Sequence, residues 1–152
     1  MKTKSIFLFL VLNILILSAC QDNALNKSEI KQGEEKNQNI SSSRDGISIQ
    51  TEKKQYTISV DEIKVIFHNA SDDKVEYGNV FYLEKKVNEK WLNLKFKENI
   101  SFSLPAYNLP SFEKKSNTYS LEVLRDKLSP GEYRLVTEVE ATPLAAYFEV
   151  TE

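Results

Sequence analysis

From residue 46 onward the chain is a series of short runs in which apolar and polar side chains alternate, separated by turn-forming residues. In the clearest run, Ile63, Val65 and Phe67 alternate with neighbours that are mostly charged or polar. A period of two residues places the apolar side chains on one face of a β-strand. This feature predicts an all-β domain in which each sheet buries one of its faces.

The β-rich region holds seven to eight predicted strands, which is typical of an immunoglobulin-like β-sandwich. Gly78 lies inside the longest run and predicts a β-bulge, while Asn88 and Glu89 predict a tight hairpin turn. Residues 122–128 have room for one helical turn. No longer amphipathic helix is visible in the sequence, which excludes most nucleotide-binding α/β folds. The predicted runs are residues 47–50, 56–60, 63–67, 75–87, 91–96, 118–124, 133–139 and 146–151, with an irregular or edge segment at 97–112.

The first 19 residues have a different composition, which predicts an export signal. Lys2 and Lys4 precede an apolar run at residues 6–17 that only Asn13 interrupts. As a helix this run would span roughly 18 Å, well short of the ~30 Å hydrocarbon core of a bilayer. The sequence therefore predicts a cleaved signal peptide over residues 1–19.

Cys20 is the only cysteine of the chain, and it directly follows Leu17, Ser18 and Ala19. This tetrapeptide resembles the lipobox of bacterial lipoproteins. The resemblance implies cleavage between Ala19 and Cys20 and transfer of a diacylglyceryl group, with palmitate-type chains, to the Cys20 sulfur. Two acyl chains would hold the protein stably on the extracytoplasmic face of the cell membrane. An ordinary secretory signal beside an incidental cysteine is the alternative.

Residues 20–45 are predicted to form a lipidated, disordered tether. Leu25, Ile30 and Ile40 are its only large apolar residues, and neither a period of 2 nor one of 3.6 is visible. A flexible chain of this length has a mean reach of roughly 25–30 Å. The folded domain is therefore predicted to occupy residues 46–152 and to stand clear of the lipid headgroups.

Charge and composition limit the partners. Removal of residues 1–19 would leave 18 basic and 22 acidic residues, a net charge of −4. A weakly acidic surface does not attract phosphate backbones, so we expect no nucleic-acid partner.

The strongest local motif of the β-rich region is Leu-Ser-Pro-Gly-Glu-Tyr-Arg at residues 128–134. In many immunoglobulin-like sandwiches a turn such as Pro130-Gly131, followed by a residue such as Tyr133, enters the penultimate strand, and the tyrosine hydroxyl bonds back to the backbone. Together with residues 60–65, 69, 76–78, 83–85, 91 and 148–150, this motif resembles a bacterial Ig-like domain family found in small lipoproteins of Bacillus-type Firmicutes. The resemblance implies the fold and an extracellular setting, and it implies no catalytic or binding residue.

Residues able to support catalysis or metal binding are few. Hydrolytic triads and most zinc sites need a histidine together with a serine, cysteine or second histidine. His68 is the only histidine, and Cys20 is taken up by the predicted lipid, so these chemistries lose most of their parts. Asp72, Asp73 and Glu76 lie near one turn, but a calcium loop requires six to eight oxygen ligands on a fixed backbone path. We therefore expect no enzyme activity, no metal and no cofactor.

The aromatic residues concentrate in the middle third of the chain, where core filling is the plain interpretation. The sharper hypothesis is an exposed patch formed by Phe102, Tyr107 and Phe112, which would contact a protein or cell-wall partner. The sequence thus predicts a membrane-anchored, non-enzymatic binding or interaction module. One alternative is an inhibitor of an extracytoplasmic protease or hydrolase that uses residues 102–112, and another is an accessory subunit of an envelope complex.

Overall fold

The computed structural model describes residues 39–103 and 105–152, which form a sandwich of two β-sheets. The predicted all-β sandwich is therefore confirmed. The predicted signal peptide, Ala19, Cys20 and the tether up to residue 38 lie outside the described residues. Within the described part of the chain, no helix has the length and apolar character needed to cross a membrane.

Ten strands and one short 3₁₀ helix make up the secondary structure of the described residues. The helix is Leu121–Val123, and its backbone is capped by the Ser120 hydroxyl, which accepts from the Glu122 N–H. The strands are β1 (Ser43–Arg44), β2 (Ile47–Thr51), β3 (Gln55–Thr57), β4 (Glu62–Asn69), β5 (Val75–Val87), β6 (Lys90–Asn93), β7 (Tyr107–Leu109), β8 (Lys114–Ser120), β9 (Gly131–Val139) and β10 (Thr142–Thr151).

The strands are divided between a four-stranded and a six-stranded sheet. The smaller sheet has the order β1-β2-β4-β8, and the larger has the order β3-β10-β9-β5-β6. Strand β5 is the hub of the larger sheet, since it pairs with β9 along one edge and with both β6 and β7 along the other. Strand β3 runs parallel to β10, with Tyr56 opposite Val150.

The core lies between the two sheets because the predicted alternation holds on both. Ile63, Val65 and Phe67 of β4 are fully buried and face the core from the smaller sheet. The Phe67 ring stacks on Tyr77 of the larger sheet, with 4.1 Å between the ring centroids. Full burial of one such side chain stabilises the fold by about 1.5–3 kcal/mol relative to exposure. The alternation read from the sequence therefore builds the apolar core between the sheets.

The strand count exceeds the predicted seven to eight because β1 and β7, which contain two and three residues, lie outside the predicted runs. Strands this short show no period in the sequence. Strand β1 lies inside the range assigned to the tether, so the folded domain begins earlier than residue 46. The backbone N–H groups of Ile49 and Ala145 donate to the carbonyls of Ser42 and Ser41, which joins this segment to both sheets.

Several strand ends also differ from the prediction. Strand β8 begins at Lys114, four residues before the predicted run, because it pairs with β4, and it ends at Ser120, where the 3₁₀ helix follows. Strand β3 ends at Thr57, and the Ile58 side chain is exposed. Strand β6 ends at Asn93, although the Leu94 N–H still donates to the Leu83 carbonyl of β5 at 2.8 Å. Phe96 then forms an isolated bridge with Leu124. Strand β10 begins at Thr142 instead of residue 146, because proline and alanine give a weak β signal.

The two predicted irregularities around β5 are confirmed. Asn88 and Glu89 both have positive φ, at 50° and 62°, which is typical of a two-residue hairpin turn. The register between β5 and β9 shifts between Tyr77 and Phe81. Residues 78–80 of β5 therefore stand opposite the single Glu138 of β9, which is the bulge that Gly78 predicts.

Candidate functional site

Tyr133 forms a corner at the start of β9. Its hydroxyl donates to the Ser129 carbonyl at 2.6 Å and accepts from the Ser129 N–H at 3.2 Å. Gly131 has a φ of +146°, in a region that L-residues rarely adopt. The Pro130 carbonyl accepts a hydrogen bond from the Lys85 ammonium at 3.0 Å. These residues fix the entry of β9 and thus have a structural role.

The three residues of the predicted aromatic patch do not share one environment. Phe102 is half-buried, and its ring packs edge-on against Phe81 and Phe96 at 5.8 and 5.3 Å between centroids. Tyr107 is 38% exposed and leans on Tyr77. Phe112 is 67% exposed, at a turn position with a φ of 58°. Phe102 therefore belongs to the core, whereas Tyr107 and Phe112 remain on the surface.

Asn69 organises the turn that carries the acidic cluster. Its side-chain nitrogen donates to the carbonyls of Asp73, Leu109 and Pro110, and its oxygen accepts from Ser71. The side chain of Asn69 is fully buried and ties the β4–β5 turn to β7. Across the described residues, no group of three histidine, cysteine or acidic side chains is placed to hold a metal ion.

A charged pair lies on the outer face of the larger sheet, the face turned away from the smaller sheet. Arg134 and Glu84 are paired across β9 and β5, and the Arg134 Nε donates to a Glu84 carboxylate oxygen. Arg134 points outward, because its chain neighbours Tyr133 and Leu135 face the core. Arg134 and Glu84 are nevertheless only 0% and 2% exposed.

Two aromatic rings flank this pair. The guanidinium of Arg134 lies over the Trp91 ring, 4.7 Å from the centroid, and Trp91 meets Tyr147 edge-on at 5.6 Å. Trp91 sits on β6, at the edge of the sheet. The sequence does not reveal this arrangement, because charged residues at alternate strand positions are normally solvent-facing. Only the cross-strand register brings them together.

A groove opens where the bulge separates β5 from β9; we call it the bulge groove. Its volume is about 600 Å³. It is lined by the bulge residues 78–80, by Tyr82, by Pro105 and Ala106, and by the facing parts of β9, the β9–β10 turn and β10. Sequence reasoning predicted the bulge but missed the groove, because residues 105–106 are brought to it only by tertiary packing.

The bulge groove is acidic. Among the described residues that line it, the ionisable carboxylates are Glu76, Glu138 and Glu140, and no lysine, arginine or histidine is present. Glu140 is held in place, since one of its carboxylate oxygens accepts from the Glu76 N–H at 2.5 Å. The lining therefore combines apolar side chains with three carboxylates.

A second groove of about 570 Å³ lies at another end of the sandwich. Its charged lining residues are mixed in sign: Asp61, Lys97, Glu122, Arg125, Asp126 and Lys127. Arg125 and Asp126 pair with each other at 2.8 Å. This groove therefore offers no uniform charge to a partner.

Comparison with known proteins defines the family. Residues 43–149 match the family model described as a bacterial Ig-like domain, so the chain belongs to the bacterial Ig-like domain family. Domains of this family typically act as extracellular binding or interaction modules. A search of curated proteins finds no significant match to this chain.

Solved structures share parts of the architecture at low similarity. A β-glucosidase from Listeria innocua is 17% identical, with a TM-score of 0.38, over 70% of this chain and 16% of that one. The β-glucosidase EmGH1 from Erythrobacter marinus is 13% identical, with a TM-score of 0.43, over 70% and 15%. The alkylpurine DNA glycosylase AlkC from Pseudomonas fluorescens is 11% identical, with a TM-score of 0.41, over 72% and 32%. The chain thus spans between 15% and 32% of these proteins, and their activities carry no argument for it.

Proposed function

We propose that this chain is a bacterial lipoprotein whose Ig-like domain acts as a non-enzymatic binding module on the extracytoplasmic face of the cell membrane. The observation that carries the proposal is the family match over residues 43–149, because such domains serve as interaction modules. The lipobox-like residues ending at Cys20 supply the anchor, and residues 21–42 separate it from the first strand. The partner would be a protein or a cell-wall component.

Photo-crosslinking in intact cells tests the binding role. A photoreactive amino acid would replace Tyr82 at the bulge groove or Phe112 at the β7–β8 turn, both of which are exposed. We expect a discrete crosslinked species from at least one position. A photoreactive residue at Leu135, which is fully buried, is the matched control and should yield none. Absence of any crosslinked species, together with measurable turnover of a wall substrate by the purified chain, would overturn the proposal.

One observation favours the alternative role of a protease or hydrolase inhibitor. Phe112 presents a large apolar side chain to solvent at a fixed turn position, as a residue that enters an enzyme's pocket would. On this alternative, the purified chain inhibits a culture-supernatant protease at micromolar concentration, and Phe112→Ala weakens inhibition at least tenfold. Ile58→Ala, which truncates a 44% exposed apolar side chain outside residues 102–112, is the matched control and should leave inhibition unchanged. No inhibition at micromolar concentration would remove this alternative.

A further inference from the structure

We propose that the bulge groove binds a lysine- or arginine-bearing segment of a partner protein. This inference rests on the proposed binding function and assigns to it a surface and a partner chemistry. The argument starts from the charge of the groove, whose ionisable carboxylates at Glu76, Glu138 and Glu140 face no basic lining residue. A surface of one charge sign selects partners of the opposite sign and accelerates their association.

The shape of the groove matches such side chains. Lysine and arginine combine an apolar stem with a charged head, so they bury the stem against apolar surface and direct the head to polar groups. Val136, Pro143 and Pro105 supply apolar surface in the same groove that carries the carboxylates. Tyr82 is 40% exposed and lines the same groove.

The size of the groove indicates a peptide segment. A volume of about 600 Å³ exceeds that of any one side chain, so several consecutive residues of a partner fit.

The groove is also pre-formed by bonds to its bulge. The Thr137 hydroxyl donates to the Val80 carbonyl at 2.9 Å, and the Asn117 amide of the opposite sheet donates to the Asn79 side chain at 2.7 Å. These contacts hold residues 78–80 from inside the sandwich. A rigid site loses less conformational entropy on binding than a flexible one.

Fluorescence anisotropy with defined peptides tests the inference. The probe is a labelled octapeptide of alternating lysine and serine, and its counterpart has glutamate in place of lysine. The full chain, in non-ionic detergent, is expected to bind the lysine peptide at least tenfold more tightly than the glutamate peptide. Affinity should fall as salt rises, because the contacts are ionic.

Charge-matched variants locate the binding. Glu76→Gln with Glu138→Gln removes two exposed carboxylates of the groove and is expected to weaken lysine-peptide binding about five- to tenfold. Glu98→Gln with Glu113→Gln removes two exposed carboxylates elsewhere and should change affinity less than twofold. Tyr82→Ala removes exposed surface that lines the groove and should weaken binding about threefold or more.

Three results would overturn the inference: no preference for the lysine peptide, equal losses in both double variants, or a concentration-dependent dimer that the groove variants abolish. The last result would assign the groove to a second copy of this chain. Crosslinking in cells separates this failure from failure of the binding function. If a partner is captured from Phe112 while the lysine peptide does not bind, the inference is wrong and the binding function stands.

Discussion

Glu84 and Arg134 form a salt bridge that is buried although both residues occupy outward positions of their strands. Removing one member of a buried pair is costly, because the other charge loses its compensation in a region of low dielectric. Glu84→Gln is therefore expected to lower the free energy of unfolding by about 3 kcal/mol, measured by urea denaturation. Combining it with Arg134→Met should cost less than the two separate losses added together.

The control for this pair is Glu132→Gln on β9, the strand that carries Arg134. Glu132 is exposed and lies 3.5 Å from the Lys86 ammonium, so its loss should cost less than about 0.5 kcal/mol. Equal destabilisation by Glu84→Gln and Glu132→Gln would show that burial of the pair has no energetic consequence.

The Tyr133 corner is the second residue-scale feature. Tyr133→Phe removes the hydroxyl that bonds twice to Ser129, and it should lower the free energy of unfolding by about 1 kcal/mol. Tyr107→Phe, at a surface position, should change it by less than half as much. A Tyr133→Phe variant as stable as the wild type would contradict the assigned role of the corner.

Alkaline pH tests the burial of Tyr119. Burial raises the pKa of Tyr119, while the side chains of Thr137 and Asn117 act in the opposite direction and more weakly. Since the folded-state pKa lies above the unfolded value near 10, the Tyr119 contribution to stability is complete below pH 10 and is lost as pH rises through the folded-state pKa. Urea midpoints measured from pH 8 to 11 should fall less steeply in Tyr119→Phe than in the wild type. Identical slopes would contradict this.

Single residues differ in how far the sequence reveals them. Pro130, Gly131 and Tyr133 form a contiguous motif whose geometry follows from local chain chemistry, so the corner could be predicted. Phe102 and Phe112 have the same side chain, and only tertiary packing places one ring in the core and the other in solvent. The aromatic patch could therefore be predicted only in part.

At the scale of elements, the β5–β6 hairpin offers a direct test of turn strain. Glu89 adopts a φ of 62°, where a residue with a Cβ is strained and glycine is not. Glu89→Gly should raise the free energy of unfolding by about 0.5–1 kcal/mol, although it removes the ion pair with Lys86 at 2.9 Å. Glu89→Ala keeps the strain and loses the ion pair, so it should not stabilise. A higher urea midpoint for Ala than for Gly would contradict this account.

Strands with a clear period were predicted with nearly correct bounds, as β4 and β5 illustrate. Strands β1 and β7 were missed, and β3 was predicted with shifted bounds. Pairing with longer neighbours, more than their own sequence, makes these short strands extended. The bulge in β5 was predicted from Gly78. The bulge groove was not, since it requires β5, β9 and residues 105–106 to meet.

At the scale of the whole molecule, the sandwich and the leader point to one arrangement. The structure supports an Ig-like interaction module, and the sequence before residue 39 supplies its proposed attachment to the membrane. Without the attachment, the same domain would diffuse away from the cell surface, and a binding site of modest affinity would seldom be occupied. The proposed location would therefore determine how the binding surface is used.

Mass spectrometry of the amino-terminal peptide, taken from the native protein in the membrane fraction, tests this arrangement most directly. The account predicts a peptide that begins at Cys20 and carries a thioether-linked diacylglyceryl group on its sulfur. A peptide that begins at Met1, or a Cys20 with a free thiol, would contradict it.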